Sequence, residues 1–305
     1  MNRRQAIQVA ALGTFAAAVA RSSSMGLEAK KTSGLGHRPQ RITTKDGVDL
    51  FVQDWGSGQP IVFLSAWAFN SNVWGSHMAA FTEHGYRCVA PDRRGHGRSD
   101  VPNHGYDADT LADDVAAVIE QKDLRDVVLV AHSMGSIEAV RYCARHGMDR
   151  IARLVLAAPT TPFLTQTADN PDAIPSGAIE SQYAAIAGDY PKWIADNEEP
   201  FFMSDTVPET RNWIKSMMLS VPLPVALACR RAIAAADTRV DLQKIVKPVL
   251  ILHGDKDASA PLPLTGAKTA KLIANSRLIV YPGAPHAIIL THRERLLADM
   301  LAFIE

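Results

Sequence analysis

The sequence predicts an α/β protein whose mostly parallel, doubly wound sheet carries an inserted helical cap. From Pro39 to the C-terminus, short β-branched runs alternate with longer amphipathic stretches, as in parallel sheets covered by helices on both faces. One segment, from Thr160 to about Asp237, interrupts this alternation with eight prolines, many large apolar residues and no strand pattern. We interpret it as a helical cap over an active site. The alternative is a helical bundle that serves stability alone.

The strands and helices can be assigned in chain order. Two predicted antiparallel strands, Gln40–Thr44 and Asp49–Trp55, flank the hairpin turn signal Lys45-Asp46-Gly47. The remaining predicted strands are Ile61–Leu64, Arg87–Pro91, Val127–Ala131, Ile151–Ala157, Val249–His253 and Arg277–Tyr281. Amphipathic periodicity predicts the helices Trp74–Glu83, Ala108–Gln121, Met134–His146, Leu264–Ile273 and His292–Phe303.

Composition limits the class of protein. The 305 residues are 47% hydrophobic, which is too apolar for a disordered chain. Thirty-two basic residues balance thirty-two acidic ones, so the charge needed for a nucleic-acid partner is missing. The sequence contains no run of ~18 apolar residues, the length that a permanent membrane span requires. The three cysteines, at 88, 143 and 229, form no Cys-x-x-Cys pair, and we expect buried free thiols and no zinc site.

The N-terminus has the features of a secretory signal. Arg3 and Arg4 precede an apolar, alanine-rich run over residues 6–20, which ends in an A-x-A cleavage pattern. The paired arginines favour a twin-arginine signal, and residues 1–38 are therefore assigned to a signal peptide and tether before a single domain over 39–305. Periplasmic or secreted localisation follows. Two alternatives are an N-terminal helix packed on the domain, and translation from Met25, which would leave the protein cytoplasmic.

Ser133 is the predicted nucleophile. The run Val127–Ser136 passes from a buried strand directly into a helix, which places the serine on a tight strand–turn–helix elbow between the small residues Ala131 and Gly135. The elbow also directs the first helical N–H groups toward developing negative charge. An ordinary helix N-cap serine is the alternative.

A serine nucleophile needs a base, and the base needs an orienting acid. Asp257 and His286 each follow a predicted strand, so both should lie at the carboxyl edge of the sheet with Ser133. Asp255 is a competing acid, which we interpret as a turn-stabilising residue because it lies nearer the strand end. For His132 we expect structural packing.

These residues resemble the α/β-hydrolase fold, and within it the cofactor-free haloperoxidase and aryl esterase group. The matching stretches are Pro91–Ser99, Asp107–Asp114, Ala131–Gly135, Gln166–Pro171, His253–Asp257 and Gly283–His286. The resemblance implies Ser133 as nucleophile, Asp257 as acid and His286 as base. It further implies that the backbone N–H groups of Met134 and Trp67 form the oxyanion hole, without metal or cofactor.

The expected activity is cleavage of a small-molecule carboxylic ester or lactone through an acyl-enzyme. The alternatives are haloperoxidase or perhydrolase chemistry, an enol-lactonase, a C–C bond hydrolase, and a non-catalytic ligand receptor on the same fold. Asp92 and His96 also invite a metal-site interpretation, although their run matches a family turn.

The loop after the first central strand departs from the family pattern. Ser65-Ala66 replaces the usual His-Gly, Ala68 stands where many haloperoxidase-type members have proline, and Ser136 replaces a frequent glycine. A cis bond before a residue other than proline costs about 3 kcal/mol, so the Trp67–Ala68 bond is predicted to be trans. We therefore expect hydrolysis to outrun perhydrolysis, and we expect Ala68→Pro to favour bromination.

Overall fold

The computed structural model describes residues 40–305, so the predicted signal peptide and tether lie outside the described residues. Within them, one sheet has the order β1-β2-β4-β3-β5-β6-β7-β8. The strands are β1 (Arg41–Thr43), β2 (Asp49–Gly56), β3 (Pro60–Leu64), β4 (Arg87–Pro91), β5 (Val127–His132), β6 (Ile151–Ala157), β7 (Val249–Gly254) and β8 (Ser276–Tyr281). β2 pairs antiparallel with both β1 and β4, whereas the other neighbours are parallel. The predicted sheet and its opening hairpin are confirmed.

Helices cover the sheet and fill the long insertion. Outside the insertion lie α1 (Gly75–Glu83), α2 (Ala108–Gln121), α3 (Gly135–His146), α9 (Arg239–Gln243), α10 (Gly266–Leu272), α11 (Ile288–Thr291) and α12 (Arg293–Ile304). The segment predicted as a cap contains α4 (Ser176–Gly188), α5 (Tyr190–Asp196), α6 (Glu198–Phe201), α7 (Pro208–Leu219) and α8 (Leu223–Ala235).

Side-chain alternation along β3 explains why both faces are covered. Val62 and Leu64 pack with apolar residues of α2 and α3, whereas Ile61 and Phe63 pack with residues of α1 and α12 on the opposite face. All four side chains are essentially inaccessible to solvent. Successive residues of a strand point to opposite faces, so a continuous apolar run belongs to a strand buried on both sides.

The C-terminal helix matches its predicted span to within one residue, since the periodicity predicted His292–Phe303 and α12 covers Arg293–Ile304. The short helix α11 before it was not predicted, and His292 between the two helices has φ −126° and ψ 33°. This non-helical backbone turns the chain, so α12 packs on the sheet while α11 follows the His286 loop.

No single helix within residues 40–305 is long and apolar enough to span a membrane. The pair α7 and α8 reaches that length and apolarity only together, and the two helices meet at a bend of 95°.

The parallel strands bring four predicted site residues to one edge. Trp67 follows β3, Ser133 follows β5, Asp257 follows β7 and His286 follows β8. In open α/β sheets this carboxyl edge is where ligands bind.

Candidate active site

Ser133 lies on a strained elbow between β5 and α3. Its φ is 53°, a conformation that costs a non-glycine residue about 1–3 kcal/mol. Gly135 is required at this turn, because a Cβ there would lie 2.8 Å from the carbonyl oxygen of Leu64. The Ser133 carbonyl accepts hydrogen bonds from Ser136 Oγ at 2.5 Å and Thr160 Oγ1 at 3.2 Å. Ser136, seen in the sequence only as a departure from the family, therefore helps to fix the elbow.

The structure brings Ser133, His286 and Asp257 into one hydrogen-bonded chain. His286 Nε2 lies 2.8 Å from Ser133 Oγ, and His286 Nδ1 lies 2.7 Å from Asp257 Oδ2. All three residues are about 5% exposed or less. The geometry matches a nucleophile, a base and an orienting acid.

Asp257 is held as a carboxylate by four hydrogen-bonding contacts. Its Oδ1 accepts from the N–H groups of Ser259 (2.9 Å) and Ala260 (2.7 Å), while Oδ2 contacts both His286 and His253. Burial opposes its charge, but the two histidines and these hydrogen bonds outweigh burial and hold the pKa of Asp257 well below its ordinary value.

His253 is a site residue that the sequence analysis missed. This fully buried side chain places Nε2 3.1 Å from Asp257 Oδ2 and 2.9 Å from the Ala260 carbonyl oxygen. Gly266 leaves room for it, because a Cβ at that position would lie 2.4 Å from His253 Nδ1. The only sequence signal was its position four residues before Asp257.

Asp255, the competing acid, and His132, which flanks Ser133, make other contacts. Asp255 Oδ1 accepts a hydrogen bond from the Gly283 N–H at 2.7 Å, so it stabilises the turn before His286 as expected. His132 is fully buried, with Nε2 3.1 Å from the carbonyl oxygen of His286. Burial, with a smaller effect of His286, lowers the pKa of His132 to about 3. It therefore packs as a neutral ring behind the site.

The backbone N–H groups of Met134 and Trp67 donate no hydrogen bond within the part of the chain that the structure describes. Met134 is the residue directly before α3, so its N–H points from the positive end of that helix. These are the donors predicted for an oxyanion hole.

Arg93 fixes the loop that carries Trp67. Its Nη2 and Nη1 donate to the carbonyl oxygens of Ser65 (2.6 Å) and Ala66 (3.1 Å), and its Nε donates to Glu138 Oε1 on α3. The Arg93 and Glu138 side chains are only 4% and 5% exposed. This buried pair ties the loop that carries Trp67 to α3, the helix that follows Ser133.

The Trp67–Ala68 bond is trans, as predicted, since Thr161–Pro162 is the only cis bond within residues 40–305. Ala68, however, has φ 59°. Proline holds φ near −65°, so Ala68→Pro would rebuild the loop rather than adjust it. The effect of this substitution on bromination therefore stays a prediction, and in this backbone the variant would change more than the isomer of one peptide bond.

A cavity of about 440 Å³ opens above the Ser133–His286 pair. Its walls come largely from cap residues, including Trp193, Phe201 and Arg230. Trp67 Nε1 donates to the Ala226 carbonyl oxygen on α8 at 2.8 Å, and the Phe201 ring lies 5.6 Å from that of His286. The insertion therefore roofs the predicted nucleophile and contacts both the side chain of Trp67 and the ring of His286.

The Asp92–His96 turn is engaged with protein groups. Asp92 accepts hydrogen bonds from the N–H groups of Ser71 and Arg98, both at 2.8 Å, and His96 Nδ1 contacts the Arg94 carbonyl oxygen. Among residues 40–305 no group of three or more histidine, cysteine or acidic side chains is arranged to hold a metal ion. The three cysteines are free and buried, as predicted.

Comparison with known proteins decides the family. The profile of the α/β-hydrolase-fold family matches residues 59–293. The chain belongs to the α/β-hydrolase family. It is 38% identical to a non-heme chloroperoxidase of Streptomyces lividans over 274 residues, covering 87% of this chain and 99% of that protein.

Two further relatives support the esterase and haloperoxidase group. A bifunctional esterase/perhydrolase of Acinetobacter calcoaceticus is 38% identical over 275 residues, covering 86% of this chain and 98% of that protein. The structure of an esterase from Exiguobacterium antarcticum superposes with a TM-score of 0.84 at 30% identity, covering 88% of this α/β-hydrolase and 99% of that chain. The resemblance stated from the motifs is confirmed.

Proposed function

We propose that this α/β-hydrolase is a serine hydrolase that cleaves a carboxylic ester or lactone with Ser133 as its nucleophile. The Ser133–His286–Asp257 hydrogen-bonded chain at the floor of the cap cavity carries the proposal. The related esterases give independent support for ester chemistry.

The geometry supports a two-step reaction. His286 Nε2 removes the Ser133 Oγ proton as the oxygen attacks the carbonyl carbon, and Asp257 holds the imidazolium that forms. The tetrahedral oxyanion accepts hydrogen bonds from the N–H groups of Met134 and Trp67. His286 then protonates the leaving oxygen, and a water molecule activated by the same imidazole releases the acid. In a lactone the leaving oxygen stays attached to the product.

The related chloroperoxidase and the related esterase/perhydrolase make peroxide chemistry the second candidate. In that reaction hydrogen peroxide replaces water at the acyl-enzyme, and the resulting peracid oxidises halide. We expect hydrolysis to exceed it, because the loop carries a trans bond before Ala68. Ester turnover should be compared with peroxide-dependent bromination of monochlorodimedone in acetate. Wild-type bromination as fast as ester turnover would contradict this expectation.

A panel of p-nitrophenyl esters, aryl acetates and lactones tests the main proposal. Enol-lactones and C–C bond substrates belong in the same panel, because the acyl-enzyme chemistry would serve them too. Ser133→Ala should lower kcat by roughly 10⁶-fold while the circular dichroism spectrum and Tm stay unchanged. Retention of more than a few per cent of activity would remove Ser133 from the nucleophile role, and absence of turnover on every substrate would favour a receptor.

We also propose export through a twin-arginine signal. Arg3, Arg4, the alanine-rich run and the A-x-A pattern support it. Residues 1–29 fused to a reporter should carry it across the inner membrane, and replacing both arginines with lysine should block transport. Continued export of that double variant would indicate a general secretory signal instead.

A further inference from the structure

Arg230 is a cation in the wall of the cap cavity that has no acidic partner among residues 40–305. It lies on α8, and its Nη2 donates to the Gln182 side-chain oxygen on α4. Its Nε is buried without a hydrogen-bond partner, and Nη1 donates to no group within residues 40–305. No carboxylate in this part of the chain lies within 4 Å of the guanidinium. Burial lowers the pKa of Arg230, although arginine stays protonated in proteins.

The other charged side chains of the cavity wall are neutralised. Glu198 Oε2 pairs with Lys215 Nζ at 2.8 Å, and its Oε1 lies 3.4 Å from Arg211 Nη1. Arg230 instead faces two indole rings, 5.5 Å from the centroid of Trp67 and 6.0 Å from that of Trp193. These distances reach the outer limit of cation–π attraction. Aromatic contact therefore offsets only part of the cost of removing this charge from water.

The position of Arg230 links the charge to the reaction centre. Trp67 is the loop residue whose N–H is assigned to the oxyanion hole, and both it and Ser133 line the same cavity as Arg230. Gln182 holds one terminal nitrogen of the guanidinium, so the planar fork is oriented before a substrate enters. A fork of this kind matches the two oxygens of a carboxylate.

We propose that the cavity is specific for esters or lactones that carry a second, free carboxylate, and that Arg230 binds this carboxylate. The inference rests on the proposed serine-hydrolase function and assigns its substrate class. Arg230 is then a specificity residue, whereas Ser133, His286 and Asp257 perform the bond cleavage.

Matched ester pairs separate the charge from all other substrate features. For a carboxylate on the leaving group, the pair is 4-acetoxybenzoate and methyl 4-acetoxybenzoate. For a carboxylate on the acyl part, the pair is monoethyl adipate and methyl ethyl adipate. The measured quantity is the kcat/KM of the charged ester divided by that of its neutral partner. Comparing this quotient between variants cancels the intrinsic reactivities of the esters.

The variants are Arg230→Gln and Arg230→Lys, with Arg231→Gln as the matched control. Arg231 is the next residue on α8, is exposed, and does not line the cavity. In at least one pair, Arg230→Gln should lower the quotient by roughly 10- to 100-fold, mainly through KM, because a charge-assisted hydrogen bond is lost. Arg230→Lys should restore part of it, and Arg231→Gln should leave it within twofold of wild type, about the scatter expected from a surface change.

Each outcome decides a different claim. If Arg230→Gln lowers charged and neutral turnover in parallel, the residue is structural and the proposal is overturned while the esterase function stands. If no ester is hydrolysed, the proposed function fails, and calorimetric binding of 4-hydroxybenzoate against methyl 4-hydroxybenzoate decides the inference. Arg230-dependent binding of the acid alone would then uphold the carboxylate site, and equal binding of acid and methyl ester would overturn it.

Discussion

Replacing Arg93 with methionine should lower the stability of the protein and disturb the loop that is proposed to hold the oxyanion. The wild-type guanidinium bonds the Glu138 carboxylate and the carbonyl oxygens of Ser65 and Ala66, all in a buried setting. Methionine fills much of the same volume but donates no hydrogen bond. Glu138 would then be a buried carboxylate without its partner, and the loop before Trp67 would lose its attachment to α3.

The expected cost follows from this burial. Removing one partner of a buried ion pair typically costs about 3–5 kcal/mol. Glu138 lies in the first turn of α3, where the helix N-terminus favours negative charge, so we expect a value near 3 kcal/mol. At about 2–4 °C per kcal/mol, Tm should fall by roughly 6–12 °C. A misplaced oxyanion donor should lower kcat by at least tenfold, since complete loss of one costs roughly 10²–10³-fold.

The double variant Arg93→Met/Glu138→Leu separates these two effects. Two apolar side chains of similar volume remove the unpaired charge, so calorimetry should show recovery of most of the lost Tm. Ester hydrolysis should remain impaired, because nothing restores the bonds to the Ser65 and Ala66 carbonyl oxygens. Recovery of kcat together with Tm would refute the proposed role of Arg93 in positioning the loop.

The stability deficit of the single variant should depend on pH. Burial already raises the pKa of Glu138 in the presence of Arg93, and losing that cation raises it further. The folded state then binds more protons than the unfolded state, so its stability falls as pH rises above the ordinary glutamate range. The Tm deficit of Arg93→Met relative to wild type should therefore be larger at pH 8 than at pH 5.

Further predictions concern the acid, the elbow and metal dependence. Asp257→Asn should lower kcat by about 10⁴-fold. Asp255→Asn weakens one hydrogen bond to Gly283 and should lower kcat by less than about tenfold. The reverse order of the two effects would exchange the roles of these residues. Ser136→Ala removes the 2.5 Å hydrogen bond to the Ser133 carbonyl oxygen. It should lower the free energy of unfolding by about 1 kcal/mol and should lower kcat several-fold. An unchanged kcat would contradict the role of Ser136 at the elbow. EDTA should leave ester turnover unchanged, and inactivation that added metal reverses would reopen the metal-site interpretation.

The fold and the three candidate catalytic residues could be predicted from the sequence, because both depend on local patterns. Continuous apolar runs such as Val127–Ala131 predict strands that are buried on both faces, and a parallel sheet places the carboxyl ends of these strands at one edge. Ser133, Asp257 and His286 each follow such a run, so topology alone brought them to one edge. Helix limits moved by a residue or two where backbone dihedrals, as at His292, broke the periodicity.

The tertiary partners of the site could not be predicted in the same way. Arg93 reaches Glu138 across 45 residues, and Arg230 meets Gln182 across 48. No periodicity specifies either contact. The left-handed backbone of Ala68 was equally hidden, since alanine carries no signal for a positive φ. These features depend on how the cap and the loop that carries Trp67 pack against the sheet.

The central claim is that an acyl group is transferred to Ser133. Labelling the protein with an alkyl fluorophosphonate, followed by peptide mass spectrometry, tests it directly, because this reagent mimics the tetrahedral intermediate and stays on the nucleophile. We predict one stoichiometric adduct on Ser133, loss of ester turnover in step with labelling, and no adduct in Ser133→Ala. An adduct on another residue, or full ester turnover by the labelled protein, would contradict the claim.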